Sequence, residues 1–348
     1  MRSLSQCGLV LLAAFVVVGE NGVPRVRADD VGILPLPEGR SGIASAYPGD
    51  RRIDHDEAVV FVERFDAGSI AAIIGRWESV QNREVMSLSE DAPVSSGDST
   101  SLRIRHIGGE SHGGHLYRRL QPGFDRLHFR FYVKFDRGCA PIHHFFHVGG
   151  YNPTTAWPQG GAGERPRGDS RFSTGVEPFG EDWRWDFYSY WMEMRGSPPR
   201  GQTWGNSFIH DREVKVDRGQ WICVELMMQM NDVGQSNGEM ALWVDGELVR
   251  HLRPGFPKGK WVYDKFVAGE GGEGIRWNDR KGGPERLNVP PRGEGFEGFR
   301  WRSDEELNLN FLWLLCYITK APAGHVSEIW FDNVVVAQDY IGPIESGE

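Results

Sequence analysis

The chain has 348 residues, with 39 lysines and arginines against 48 aspartates and glutamates, so its formal charge at pH 7 is −9. This acidic balance argues against a nucleic-acid binder, because phosphate backbones attract basic surfaces. The 45 glycines, 19 phenylalanines and 13 tryptophans are typical of aromatic strands joined by glycine-rich loops. A chain of this length is ample for one large all-β domain.

The N-terminus predicts a secretory signal peptide over residues 1–28. Arg2 precedes an apolar run from Cys7 to Gly19, and Val26-Arg27-Ala28 has the small-residue spacing of a cleavage site. A run of about 13 residues is too short to span a bilayer comfortably, so an uncleaved anchor is the weaker alternative. No later run is long enough to span. Cleavage moves the formal charge from −9 to −11, and we expect a secreted or periplasmic protein.

The remaining chain reads as a polar lead-in or linker over 29–56 and one domain over 57–345. Period-two alternation, which indicates half-buried strands, is clearest in "LHFRFYVKFD" from Leu127 to Asp136. "WICVELMMQMN" behaves in the same way, and "VDGEL" carries an Asp-Gly hairpin turn. No convincing helix of more than two turns appears. The pattern predicts an all-β, two-sheet antiparallel sandwich with two long Gly/Pro-rich loops, residues 150–182 and 252–304.

Several segments resemble the concanavalin A-like jelly rolls of secreted bacterial carbohydrate-active proteins. "EIWFDNVVVAQDYIG" (Glu328 to Gly342) is similar to their closing strand and "FVERFDAGSI" (Phe61 to Ile70) to their opening strand. "GQWICVELMMQMN" and "NGEMALWVDGELV" resemble their central hairpin. Among enzymes, the chain resembles jelly-roll polysaccharide lyases, which carry a Gln-x-His strand and a Tyr-rich strand across a cleft. Here Pro141-Ile142-His143 replaces the first motif, whereas Tyr188 to Trp191 fits the second.

The stretch "APIHHFFHVGG" (Ala140 to Gly150) places three histidines within five positions. Read as a regular strand, it directs His144 to the core and His143 and His147 to the opposite face. Residues four apart on a strand lie about 13 Å apart, so His143 and His147 cannot share one zinc ion. We therefore expect His144 to be a core histidine and disfavour a histidine metal site.

A second polar face belongs to the preceding predicted strand. If that strand neighbours the histidine strand, His128, Arg130, Tyr132 and Lys134 converge with His143 and His147 and suit an anionic sugar. A merely solvated sheet face is the alternative. In "DWRWDFYSYWMEMR", Tyr188 and Tyr190 share one face, and their rings suit sugar stacking and proton transfer. The inter-sheet core is the alternative for these aromatics.

These groups supply what β-elimination on a uronate needs: a base, an acid and a cation for the carboxylate. The predicted catalytic residues are His143, His147, Tyr188, Tyr190, Arg130 and Arg195. The predicted substrate-binding residues are His128, Tyr132, Lys134, Trp191, Gln229 and Asn231. Hydrolysis ranks lower, because the compact Glu-x-Asp-x-x-Glu strand of laminarinase-type hydrolases is missing; Glu177 falls in a predicted loop, and Glu193 stands alone.

Glu63 and Asp66 open the domain and Asp332 closes it, which predicts a structural calcium ion if the first and last strands pair. No organic cofactor is expected. Cys139, Cys223 and Cys316 allow at most one disulfide. The favoured hypothesis is a secreted lyase acting on an acidic polysaccharide. The alternatives are a non-catalytic, lectin-like carbohydrate-binding or adhesion module and, third, a glycoside hydrolase.

Overall fold

A computed structural model describes residues 35–96, 100–211, 214–269, 272–278, 283–289 and 293–345. The predicted signal peptide lies outside the described residues. One compact unit spans residues 37 to 348. In the described part of the chain, no helix is both long enough and apolar enough to cross a membrane.

Nearly all regular structure is β-strand. The strands are β1 (Val59–Glu63), β2 (Ser79–Gln81), β3 (Met86–Ser89), β4 (Ser101–Ile107), β5 (His115–Phe124), β6 (Arg126–Phe135), β7 (His144–Tyr151), β8 (Arg171–Phe179), β9 (Arg184–Phe187), β10 (Trp221–Gln229), β11 (Glu239–Val244), β12 (Glu247–Leu252), β13 (Lys258–Val262), β14 (Lys265–Ala268), β15 (Gly272–Asn278), β16 (Gly283–Val289), β17 (Glu294–Gly295), β18 (Leu309–Tyr317) and β19 (Val326–Ala337). Within the described residues, the helices are α1 (Ile70–Ile74) and the 3₁₀ turns Ile43–Ala46, Pro48–Asp50, Ile53–His55 and Arg83–Val85.

Two antiparallel sheets form the sandwich. Sheet A has eight strands in the order β12-β11-β10-β6-β19-β4-β3, with β1 also paired to β19. Sheet B has six strands in the order β2-β5-β18-β7-β8-β9. The two-sheet, all-β prediction is confirmed. Both predicted long loops contain strands, namely β8 in the first and β13 to β17 in the second.

The core between the sheets is built from the apolar face of each alternating strand. Phe129 and Phe131 of β6 meet Phe145 and Phe146 of β7, with the Phe131 and Phe146 ring centroids 4.4 Å apart. Strands β11 and β12 join through Asp245 and Gly246, both with positive φ, as a two-residue type I′ hairpin requires. The first and last strands, β1 and β19, pair with Glu63 opposite Val334.

One expectation about neighbouring strands is wrong. Strands β6 and β7 are consecutive in the chain but belong to different sheets, so their polar faces point to opposite sides of the sandwich. The expected convergence of His128, Arg130, Tyr132 and Lys134 with the histidines of β7 therefore does not occur.

The outer face of sheet A is covered by two segments, residues 37–56 and 338–345. From the first, Asp50 accepts a 2.6 Å hydrogen bond from Arg130, and both side chains are fully buried. From the second, the backbone N–H of Ile344 donates to the Tyr132 hydroxyl at 2.9 Å. Residues 43–55 thus pack against the sandwich as part of the domain. Cys139, Cys223 and Cys316 are buried and unpaired.

Candidate functional site

The outer face of sheet B carries a row of residues in register across β18, β7, β8 and the segment that follows β9. Trp313 of β18 pairs with His147 of β7, and His147 pairs with Gly175 of β8. Gly175 exchanges two backbone hydrogen bonds of 3.0 Å with Tyr188, which follows β9. We call this set the central row: Trp313, His147, Gly175 and Tyr188.

Glycine is required at the centre of this row. A Cβ atom on Gly175 would lie 2.6 Å from the carbonyl oxygen of Phe146 and 3.0 Å from the His147 ring. The bare position leaves room between the imidazole and the phenol. The Tyr188 ring in turn rests on Gly205, where a Cβ atom would lie 2.7 Å from the ring.

A bulge brings a second histidine onto the same face. Leu314 pairs with Phe146 and Tyr317 with His144, so Leu315 and Cys316 together oppose the single residue Phe145. Bulges disrupt the ladder and re-aim side chains. The two consecutive residues Phe145 and Phe146 are both buried in the core, so the regular in-and-out alternation of side chains is broken at this point.

His144 therefore lies on the outer face, and its expected place in the core is wrong. The exposed fraction of its side chain is 25%. Its ring centroid lies 5.1 Å from that of Tyr188, and its ring stacks with Tyr317 at 5.9 Å.

Glu177 joins both histidines. Its Oε1 atom lies 2.7 Å from Nδ1 of His144 and 3.1 Å from Nε2 of His147. Burial alone raises the pKa of Glu177, but hydrogen bonds from the two imidazoles outweigh it, so the net shift is downward. An ionised carboxylate only accepts, so both ring nitrogens donate N–H to it.

Burial sets the protonation of the neighbouring groups. It lowers the pKa of His147, which keeps this imidazole neutral near pH 7. Burial also raises the pKa of Tyr188, and the nearby Tyr190 hydroxyl, 3.4 Å away, adds to the effect. Tyr188 is therefore a protonated phenol beside a neutral histidine.

Loops border this face at two places. The backbone N–H of Gly163, in the loop after β7, donates to the Tyr190 hydroxyl at 3.3 Å. Trp157 in the same loop is exposed. Beyond Tyr188, a cavity of about 190 Å³ is lined by Trp204, Tyr263 and Lys265 among others.

The structure brings together four of the predicted catalytic residues. His147, Tyr188 and Tyr190 lie on the outer face of sheet B, and the His143 ring, just before β7, lies 4.3 Å from that of His144. Arg130 lies on the outer face of sheet A, where it is buried beneath residues 37–56. The Arg195 guanidinium stacks over Trp261 at 5.4 Å and pairs with Glu297.

The predicted substrate-binding residues lie elsewhere. His128 is buried on the covered outer face of sheet A, 2.8 Å from Glu225, and Lys134 pairs with Asp91. Tyr132 is buried beneath Ile344. Gln229 is the last residue of β10. Asn231 is buried just after this strand and accepts hydrogen bonds from the backbone N–H groups of Trp301 and Arg302. Trp191 is buried in the core, where its ring packs against Phe299.

The acids predicted to hold calcium already have other contacts. Glu63 accepts from Trp77 and from Arg76, both at 3.3 Å. Asp66 accepts from Arg64, and Asp332 accepts from the backbone of Asn333. Calcium at this strand pair stays a prediction.

Sequence reasoning missed His144 and Glu177. Glu177 was placed in a loop, but it lies in β8, whose residues Phe172, Thr174 and Val176 face the core while Ser173, Gly175 and Glu177 face outward. Alternation in "RFSTGVEPF" is the signal that could have placed it.

The two sheets and their pairing define a concanavalin A-like jelly roll, and comparison with solved structures supports this. The marine PL-14 alginate lyase from Aplysia kurodai matches with a TM-score of 0.51 at 14% identity, over 80% of this chain and 99% of that chain. The alginate lyase vAL-1 from Chlorella virus matches with a TM-score of 0.50 at 12% identity, over 81% of this chain and 100% of that one. At these identities the likeness establishes the fold. No protein-family model and no curated protein matches the chain.

Proposed function

We propose that this protein is a secreted polysaccharide lyase that cleaves a uronate-containing polysaccharide by β-elimination. The observation that carries the proposal is the Glu177–His144 pair beside Tyr188 on the outer face of sheet B. The predicted signal peptide supports secretion. The shared fold with two enzymes named alginate lyases makes alginate the first polymer to test.

His144 is the proposed base. In the tautomer whose Nδ1–H donates to Glu177, the lone pair of the His144 ring lies on Nε2. The same pairing of a carboxylate with an imidazole orients and polarises the histidine in hydrolase triads. His147 holds Glu177 from the other side and acts as a positioning residue.

Tyr188 is the proposed acid. His144 takes the proton from the carbon beside the uronate carboxylate, and that electron pair forms the new carbon–carbon double bond. The glycosidic carbon–oxygen bond breaks, and the departing oxygen takes the phenolic proton of Tyr188. A raised pKa keeps that proton on the phenol until the bond breaks.

The uronate carboxylate also needs a positive partner as charge develops. Lys320 is a cation at the His143 end of this face, near enough that its charge contributes to the lowered pKa of His143 after burial and the neighbouring His144. Lys320 is exposed and is the proposed contact for the carboxylate.

The test is ultraviolet absorbance near 235 nm on a panel of uronic-acid polysaccharides, because elimination leaves a conjugated double bond. We expect His144→Gln to lower the rate by about 10²–10⁴-fold, the contribution of a positioned acid or base. His55→Gln, an exposed histidine in the covering segment 37–56, is the matched control and keeps full rate. Absence of the signal on every polymer, or equal rates for the two variants, contradicts the proposal.

A carbohydrate-binding module without catalysis is the second candidate. Trp157, Trp204 and Tyr263 are exposed aromatic side chains near or in the loops of this face, and such rings stack on sugars. Saturable binding of one polymer without any absorbance signal favours this candidate. Reducing ends without absorbance favour hydrolysis.

A further inference from the structure

We propose that His144, His147 and Glu177 form a site for a divalent transition-metal ion, with Zn²⁺ as the best fit. Their ligand atoms, Nδ1, Nε2 and Oε1, all lie within 4.8 Å of one another. Among the described residues, no other group of three or more His, Cys, Asp or Glu side chains is gathered in this way. The donor set of two imidazoles and one carboxylate is one that zinc uses when a fourth position stays open.

The present spacing is close to that of a coordination sphere. Tetrahedral zinc with bonds of about 2.0–2.2 Å holds its ligand atoms roughly 3.3–3.6 Å apart. The two nitrogens lie 2.7 and 3.1 Å from Oε1, so each of these two separations widens by less than about 1 Å to admit the ion, and the two nitrogens themselves lie within 4.8 Å of each other.

The scaffold fixes the three donors. They come from the neighbouring strands β7 and β8, where His147 pairs with Gly175 and Phe146 with Val176. Side-chain exposure is 6% for Glu177 and 8% for His147, whereas His144 reaches the surface at 25%. An ion therefore reaches the site from the His144 side, where a water molecule completes the coordination.

Charge also favours a cation here. Glu177 is buried, and in the described part of the chain its ion-pair partners are these two histidines, with no lysine or arginine. A buried carboxylate held by imidazole N–H groups gains more from a divalent ion than one that is already paired with arginine.

Metal binding has a consequence for catalysis that rests on the proposed function. Both ligand nitrogens first lose the protons that they donate to Glu177: on His144 the ring proton moves through solvent from Nδ1 to Nε2, and on His147 it moves from Nε2 to Nδ1, which frees one lone pair on each ring for the ion. Nε2 of His144 is the atom assigned as the base, so the metal-bound protein cannot use it. Bound zinc is therefore an inhibitor of elimination.

The direct test measures binding without substrate. Full-length mature protein is stripped with a chelator and titrated with ZnSO₄ by calorimetry, and with CoCl₂ by visible absorbance, which reports tetrahedral coordination. We expect one ion per chain and an affinity lowered at least about 100-fold in Glu177→Gln and in His144→Ala. His55→Gln binds as the native chain does, and circular dichroism confirms that the variants are folded.

The outcomes separate this inference from the proposed function. No saturable binding, or equal affinity in the native chain and both ligand variants, overturns the metal site whatever the activity. Site-specific binding together with elimination that stops at one equivalent of zinc and returns with chelator supports both. Site-specific binding with undiminished elimination supports the metal site and overturns His144 as the base.

Discussion

The outer faces of the two sheets carry the same kinds of side chain but differ in what lies over them. On sheet A, His128, Arg130 and Tyr132 alternate with core phenylalanines, yet all three are buried beneath residues 37–56 and 338–345. On sheet B, His144 and Tyr188 stay partly exposed. The polar pattern of a strand therefore does not tell whether its face is open.

The hydrogen bonding of the two faces also differs. On the covered face of sheet A, Arg130 pairs with Asp50 and His128 with Glu225, so each basic group has its own carboxylate. Glu225 also accepts hydrogen bonds from the backbone N–H groups of Ile341 and Gly342. On sheet B one carboxylate is shared by two histidines. The first arrangement locks covering segments in place, whereas the second leaves a ring nitrogen of His144 for other chemistry.

Replacing one tyrosine on each face gives the largest expected contrast. Tyr188→Phe removes the proposed acid, and we expect the elimination rate to fall by about 10²–10⁴-fold with little change in stability. Tyr132→Phe removes the acceptor for the Ile344 N–H, so the free energy of unfolding falls by about 1–3 kcal/mol while the folded enzyme keeps its rate. Rates at 235 nm and urea unfolding check both. Equal losses of elimination rate in the two variants contradict the assignment of catalysis to the outer face of sheet B alone.

Breaking the buried Arg130–Asp50 pair tests the structural role of the covered outer face of sheet A. Arg130→Met leaves Asp50 buried without its partner, and we expect the free energy of unfolding to fall by about 3–5 kcal/mol. The double variant Asp50→Leu/Arg130→Met restores most of it, because an apolar pair replaces the ion pair. Urea unfolding measures the change, and the rate per folded molecule stays native. A single variant as stable as the native chain rules out this role.

Adding a methyl group at Gly175 tests whether the absence of a side chain at this position of the central row is needed for catalysis. Gly175→Ala places a Cβ atom against the Phe146 carbonyl and the His147 ring, and overpacking of this kind costs about 1–3 kcal/mol. We expect the displaced imidazole to lower the elimination rate about 10-fold, since positioning errors weaken catalysis. Gly160→Ala, with no atom within 4 Å of the new Cβ, is the matched control. If both variants retain the native rate and stability, Gly175 has no positioning role.

The alternation in the sequence was sufficient to predict the sandwich, because each strand shows its core face directly. Leu127, Phe129 and Phe131 are buried between the sheets as the pattern indicates. The Asp-Gly turn motif likewise predicted the hairpin at Asp245-Gly246.

The candidate site was predicted only in part, for two physical reasons. Alternation gives the parity of a strand but not its sheet, so nothing in the sequence revealed that the chain crosses from sheet A to sheet B between β6 and β7. Parity also fails at a bulge, and the extra residue lies in β18, about 170 positions from His144. Long-range pairing therefore decided that His144 lies beside Glu177.

The smallest expected effect on the elimination rate is that of Tyr190→Phe, which we compare with Tyr188→Phe on the same face of sheet B. The Tyr190 hydroxyl lies 3.4 Å from that of Tyr188 and accepts from the Gly163 N–H, so it supports the acid without reaching the reacting atoms in this proposal. Tyr190→Phe removes a neutral hydrogen-bonding group worth about 0.5–1.5 kcal/mol, which corresponds to a 2- to 12-fold lower rate. Tyr47→Phe, in the segment that covers sheet A, is the control and keeps the native rate. A loss as large as that of Tyr188→Phe would reassign the acid to Tyr190, whereas a native rate in Tyr190→Phe would leave Tyr188 acting without this support.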